Sequence, residues 1–424
     1  MWEKLAQIWR VKELRKKIFF VLAMLFIFRI SAHIPIPGIN VANLRNFFES
    51  NQLLGLLNIF SGGAMQNFSV VMLGVGPYIT SSIIFQLLIM IIPKLSELSK
   101  EGESGQQRLN QYMRILTVPL AAIQAYSMIT LLKQQGQGIV SEMNHFQLIN
   151  AIITITAGSI FLMWLGELIS EKKIGNGISL IIFAGIVARI PTEIQQTAAV
   201  FDASKIFSLA IFLVIGLITI AGVVIITEGQ RNIPVSYARR IRGNRVYGGV
   251  STHLPLRVNQ AGVIPIIFAI SIVVFPPIIA QFFVNSQTHW LAVLAQWFVH
   301  TFRGGPVYSI VYFILVVVFT YFYTTVIFHP DQISENLQKQ GGFIPGLRPG
   351  RNTAEYLNYV SNRIILAGAL FLGAIAVLPS VMQSATNITT LVLGGTSLLI
   401  VVSVVLDTVK QVESQLTMRD YEGF

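Results

Sequence analysis

The chain has 424 residues, of which 53% are apolar and 12% charged, and its mean hydropathy is +0.66. Such a balance excludes an ordinary soluble domain and points to lipid as the main solvent. The net charge of +11 must then sit on the polar faces, and the absence of cysteine excludes disulfides, thiolate metal sites and cysteine nucleophiles.

A helix that crosses a bilayer needs about 20 predominantly apolar residues. Ten stretches qualify, near 18–34, 67–92, 113–132, 146–168, 177–196, 206–227, 259–284, 306–328, 362–382 and 388–408. Lys12, Arg15, Lys16 and Lys17 precede the first, and no small-residue cleavage site follows it, so it reads as an uncleaved span rather than a signal peptide. Between the first two spans, segment 35–66 opens with Pro35, Pro37 and Gly38 and holds an apolar run, Leu53 to Phe60, too short to cross. Ser61, Gly62 and Gly63 follow as a helix break and hinge. A half-helix entering the membrane fits this pattern and implies an aqueous funnel, because non-helical backbone at depth needs protein or a water-filled cavity around it. A surface helix on the outer face is the alternative. Ten spans divide into two sets of five, which permits inverted repeats.

With the N-terminus in the cytoplasm, the inner segments hold 24 of the 30 Lys and Arg residues. The exceptions are Arg29, Arg45, Lys133, Arg189, Lys205 and Arg303. This asymmetry predicts that both termini are cytoplasmic. Two inner loops, 228–258 and 329–361, are longer than topology alone requires. Their basic residues suit docking of ribosomal RNA or of acidic protein partners, and attraction to anionic membrane lipid also accounts for part of the charge.

Ionisable residues avoid the span centres: Arg29, Glu167, Glu228 and Asp407 lie toward span ends. Ion-coupled carriers commonly carry charge near the midplane, so the pattern favours a pore closed by apolar side chains over a carrier. His33, His145, His253, His289, His300 and His329 show no metal-ligand spacing, and neither a His-Glu-x-x-His segment nor a nucleotide-binding Gly-rich loop ending in Gly-Lys-Ser/Thr is present. No cofactor is expected, and any energy source must be a partner. An intramembrane enzyme would need a mate for Asp407, which the sequence does not offer.

Seven strings carry a resemblance: NIFSGGAMQ (58–66), GVGPYITSSIIFQLL (74–88), KEGESGQQRLNQYMR (100–114), IGNGISLIIFAGI (174–186), RVYGGVSTHLPLRVNQAGVIP (245–265), GGFIPGLRPGRNTAEYL (341–357) and GGTSLLIVV (394–402). In this order and over nearly the whole chain, they resemble the SecY family of protein-conducting channel subunits. The resemblance implies an all-α membrane protein of ten helices in two inverted halves, 18–200 and 201–409, flanked by cytoplasmic segments 1–17 and 410–424. The halves would form an hourglass pore in a bacterial plasma membrane. Its constriction would be a ring of Ile79, Ile83, Ile178, Ile182, Ile267 and Ile400. A narrow apolar ring dewets and excludes ions yet deforms around a passing chain. Read without the family, these isoleucines are ordinary packing or lipid-facing residues.

The same resemblance makes residues 53–65 a plug, with Leu54, Leu57, Ile59, Phe60, Ser61, Gly62 and Gly63 as its named members. It also implies a lateral gate between the second and third spans on one side and the seventh and eighth on the other. Thr80, Ser81, Gln86 and Asn259 are candidates for polar contacts along that seam, although simple helix packing accounts for them equally. Arg239, Arg240, Arg242, Arg245, Arg257 and Arg348 would dock the ribosome and the SecA motor ATPase. SecE and SecG are the implied small subunits, and signal sequences, unfolded polypeptides and membrane lipids the implied clients and surroundings.

Overall fold

A computed structural model describes residues 11–41, 43–44, 58, 61–134, 144–199, 206–237, 240–242, 245–247, 251–284, 288–302, 305–386 and 395–422. Its helices are α1 (Lys12–Ser31), α2 (Gly76–Ile91), α3 (Pro93–Lys100), α4 (Glu103–Gln134), α5 (His145–Glu171), α6 (Gly177–Val187), α7 (Ile190–Ala199) and α8 (Ile206–Glu228), followed by α9 (Ile264–Phe283), α10 (His289–Phe302), α11 (Pro306–Ile327), α12 (Pro330–Lys339), α13 (Arg351–Thr386) and α14 (Gly395–Glu422). Among the described residues five short strands interrupt them: β1 (Gln230–Tyr237), β2 (Arg240–Arg242), β3 (Arg245–Tyr247), β4 (Ser251–Arg257) and β5 (Gly342–Phe343). Among the described residues, α4, α5, α8, α11 and α13 each contain a segment long and apolar enough to cross a membrane, and α2 with α3 makes a bent sixth. The other four expected stretches carry α1, the pair α6 and α7, α9, and α14.

The backbone forms two compact units, the first of residues 1–201, 274–304 and 404–424 and the second of 202–273 and 305–403. In the first, α1 turns a stripe of Leu14, Val21 and Phe28 inward and leaves Phe19, Leu22 and Phe26 exposed, as the period of an apolar helix packed on one side requires. Leu44, Phe68, Met72, Ile129, Leu132 and Ile155 form a core in which segment 61–75 meets α4 and α5.

The sequence predicts a second span from residue 67, yet helix begins only at Gly76. Phe68 at φ 45° and Gly74 at φ 60° hold the preceding segment in turns. Its backbone pairs with the chain leaving α1, where the Ile36 N–H donates to the Phe68 carbonyl at 2.9 Å and the Val70 N–H to the Ile34 carbonyl at 3.0 Å. The far end of α2 is set by Pro93, which forces Ile92 into an extended conformation, and α3 departs at 104°.

In the second unit α11 packs along α13, where a β-carbon on Gly373 would lie 2.8 Å from the Phe313 ring. The loops 228–258 and 329–361 are not separate. Strands β4, β1 and β5 form one antiparallel sheet, with Ile233 opposite Leu254 and Ser236 opposite Phe343. Ile233, Val235, Leu256, Ile344, Leu357 and Val360 close a core beneath it, so both loops and the start of α13 make a single body.

Candidate functional site

The string IGNGIS positions two of the predicted ring residues. Asn176 caps α6, its Oδ1 accepting from the backbone N–H groups of Ile178 at 3.1 Å and Ser179 at 3.2 Å. The Ser170 hydroxyl accepts from the Gly177 N–H and donates to the Gly166 carbonyl, both at 2.9 Å. Glycine is required at 177 because a β-carbon there would lie 1.8 Å from the Gly166 carbonyl oxygen. This contact clamps α6 onto α5 and fixes Ile178, half-buried, and Ile182, 3% exposed. Ile79 and Ile83, four residues apart on α2, share one helix face and are half-buried. In the second unit Ile267 is half-buried on α9 and Ile400 is 3% exposed on α14.

Of the predicted plug residues, Leu54, Leu57, Ile59 and Phe60 lie outside the described residues. The exit turn is described and tightly held. The Asn58 side chain both donates to Gln66 Oε1 at 2.7 Å and accepts from the Gln66 N–H at 3.1 Å. The Ser61 hydroxyl donates to the Asn58 carbonyl and accepts from the Met65 N–H. Gly62 and Gly63 adopt φ of 69° and 81°, a region glycine enters without strain. Arg29 Nη1 donates to the Gly62 carbonyl at 2.9 Å. Arg29, in the sequence a charge near a span end and an exception to the basic inner face, thus holds this turn; its visible signal is a guanidinium in the last turn of an apolar helix.

The gate candidates separate. Ser81 is fully buried and donates to the Met113 carbonyl at 2.7 Å, so it joins α2 to α4. Phe85 stacks on Tyr112 across the same pair. Thr80 donates to the Gly76 carbonyl of its own helix. The Gln86 amide donates to Ser82 Oγ at 3.4 Å, and its Oε1 is buried and unbonded among the described residues, as is the Asn259 Oδ1. In the second unit, Phe268 of α9 meets Phe319 and Tyr323 of α11 edge-on. Glu167 is paired at 2.7 Å with Arg114, which gives that carboxylate near a span end a nearby opposite charge.

Among the basic residues, Arg239 lies outside the described residues. Arg240 and Arg242 are on β2 and Arg245 on β3, with Arg242 and Arg245 opposite each other at the hairpin end. Arg257 on β4 and Arg348 in the turn before α13 are exposed, and among the described residues neither forms an ion pair. Lys339 and Arg351 differ, being bound to Glu335 and Glu355 four residues away at 2.7 and 3.0 Å. The Lys339 hydrogen bond and charge hold the Glu335 carboxyl below its ordinary range. The Thr353 hydroxyl donates to the Arg348 carbonyl at 3.0 Å and fixes the turn that presents Arg348. Among the described residues no three His, Asp or Glu side chains converge as metal ligands.

A family model described as SecY matches residues 69–409. The chain belongs to the SecY family. A relative named protein translocase subunit SecY, from Mycobacterium leprae, is 46% identical over 98% of each chain. Solved structures agree on the fold at low identity. One described as a protein conducting channel aligns at TM-score 0.61 and 18% identity over 94% of this chain and 91% of that one. Another, of a SecY protein whose plug domain is said to stabilise the closed state and maintain a membrane seal, aligns at TM-score 0.56 and 19% identity with the same coverage. A third, Sec61 in a canine ribosome–channel complex, aligns at TM-score 0.59 and 18% identity, again over 94% and 91%. The chain is therefore a multi-pass membrane protein with the helical fold of the SecY and Sec61 channels.

Proposed function

We propose that this chain is the pore-forming subunit through which unfolded, signal-bearing polypeptides cross a bacterial plasma membrane, and from which apolar segments pass sideways into lipid. The observation that carries this reading is segment 61–75, which is turned rather than helical yet almost wholly buried between apolar helices. Non-helical backbone at membrane depth is tolerated only where protein surrounds it or it lines a water-filled cavity, and a bundle built around an internal passage provides such a place. In this reading residues 53–65 are the plug, the six isoleucines are the constriction, and the lateral gate is the one expected between the second and third spans on one side and the seventh and eighth on the other. Ten helices cross the membrane in two inverted halves, and both termini are cytoplasmic.

The body formed by the two long loops is the docking surface on the cytoplasmic side. Exposed Arg348, with its carbonyl tied back to Thr353, offers a planar fork for a carboxylate or phosphate. SecA and the ribosome are the partners that supply force, and SecE and SecG complete the membrane complex.

The test is translocation of a signal-bearing precursor into vesicles containing this chain with a SecE partner, SecA and ATP, scored by protease protection. Protection that depends on ATP and is lost with Arg348→Glu supports the reading. A folded, partner-bound complex that protects nothing refutes it.

A further inference from the structure

We infer that Arg29 is the positioning residue that docks the exit turn of the plug and so holds the channel in its resting arrangement; this rests on the reading of residues 53–65 as the plug. The turn is gripped from two helices. From α1, Phe28 and Arg29 both reach it: Arg29 donates to the Gly62 carbonyl at 2.9 Å, and Phe28 is 1% exposed with its ring tip 2.8 Å from where a Gly62 β-carbon would stand. From α6, Gly185 closes the other side, since a β-carbon on it would lie 2.3 Å from the Gly62 Cα. Gly63 lies beside the aliphatic stem of Arg189, its β-carbon position 3.8 Å from Cδ.

The chemistry of Arg29 singles it out. A guanidinium in the last turn of an apolar helix ordinarily snorkels to the interface, so one turned onto a backbone carbonyl is the exception. Here it spends a charge-assisted bond on one backbone carbonyl. That carbonyl is presented only because Gly62 is at φ 69°, and the conformation is locked from within by the bonds between Asn58, Ser61, Met65 and Gln66. The exit turn is thus a rigid knob and Arg29 a catch on it. Leaving the dock requires breaking the Arg29 bond and parting Gly62 from Gly185, whereas the knob itself need not unfold.

Two readouts separate the catch from the seal. Because the chain has no cysteine, a single Ala64→Cys thiol, placed where the native side chain is fully buried, reports undocking by its labelling rate with a membrane-impermeant maleimide. Resting ion leak from vesicles reports the seal. The full chain in its partner-bound complex is used throughout, with Ser69→Cys, also at a fully buried position, as a second probe. Loss of a charge-assisted bond in Arg29→Gln should raise labelling on the order of 10- to 100-fold. Gly185→Ala should do the same by expulsion, and Arg29→Lys, which keeps a charged donor, should return the rate to within about threefold of the parent.

Unchanged labelling in the Arg29→Gln complex overturns the inference, whatever the leak and whatever Gly185→Ala does. Raised labelling without raised leak upholds the catch and instead overturns the plug as seal. Raised labelling that Arg29→Lys fails to reduce overturns the role of the charge.

Discussion

Replacing Gly177 by alanine would place a β-carbon 1.8 Å from the Gly166 carbonyl oxygen and 2.9 Å from the Ile169 β-carbon. Backbone and β-carbons cannot rotate out of the way, so α6 must retreat from α5 by about 1.5 Å to restore a carbon–oxygen contact of about 3.3 Å. Overpacking of this kind costs about 1–3 kcal/mol. Ile178 is the next residue and Ile182 lies one turn on, so both travel with the helix. A shift of about 1.5 Å is half the width of a water molecule, enough to wet a constriction that seals by excluding water. Gly177→Ala should therefore lower the melting temperature of the purified complex and raise its resting ion leak in vesicles. Asn176→Ala is the matched control. It removes a cap worth about 1 kcal/mol without inserting any atom between the helices, so melting should fall while the channel stays tight. An ion-tight Gly177→Ala complex would refute the argument, as would an Asn176→Ala complex that leaks equally, since general loosening would then explain both.

Ile400, 3% exposed, lies on the proposed ring, and Ile400→Asn should raise resting leak, because a buried unsatisfied amide costs about 1–3 kcal/mol and attracts water; an unchanged leak with unchanged signal-sequence selectivity would remove Ile400 from the ring. Arg348→Glu should impair motor-driven export while membrane insertion of apolar clients continues, as measured by protease protection and alkaline extraction; equal loss of both would point to misfolding of the loop body. Ile233→Ala, at a site 2% exposed, should destabilise the body by about 2–5 kcal/mol and increase proteolysis within 228–258, while the spans stay protected.

The apolar stretches were legible because each is a local property: the second is expected to end at 92 and its helix ends at Ile91, and the fifth is expected from 177, where α6 starts. What was not legible depended on partners distant in sequence. Nothing in the residues around Gly177 shows that the Gly166 carbonyl will stand against it. The alternation of Ile233 and Val235 with polar neighbours is a strand signal, as is Leu254 and Leu256 around Pro255. It does not declare a sheet by itself, because the completing strand, β5, is only two residues long and comes after four intervening helices, α9 to α12. The Gly62–Gly63 pair was read as a hinge from composition alone. Its conformation depends on Phe28, Arg29 and Gly185, which only the fold brings to it.

Helix α13 begins three residues after Arg348 and continues for 36 residues, a rod of roughly 54 Å at the ordinary rise per residue. Pro379 is its sole internal proline and lies near the far end, so most of its length has no weak point at which to bend. Whatever leans on the arginine turn therefore has a long, stiff handle. A tilt of roughly 10° about the near end would carry the far end through some 9 Å, about the spacing between packed helices, so that small rocking at the proposed docking surface is geared up into displacement of a whole helix at the far end.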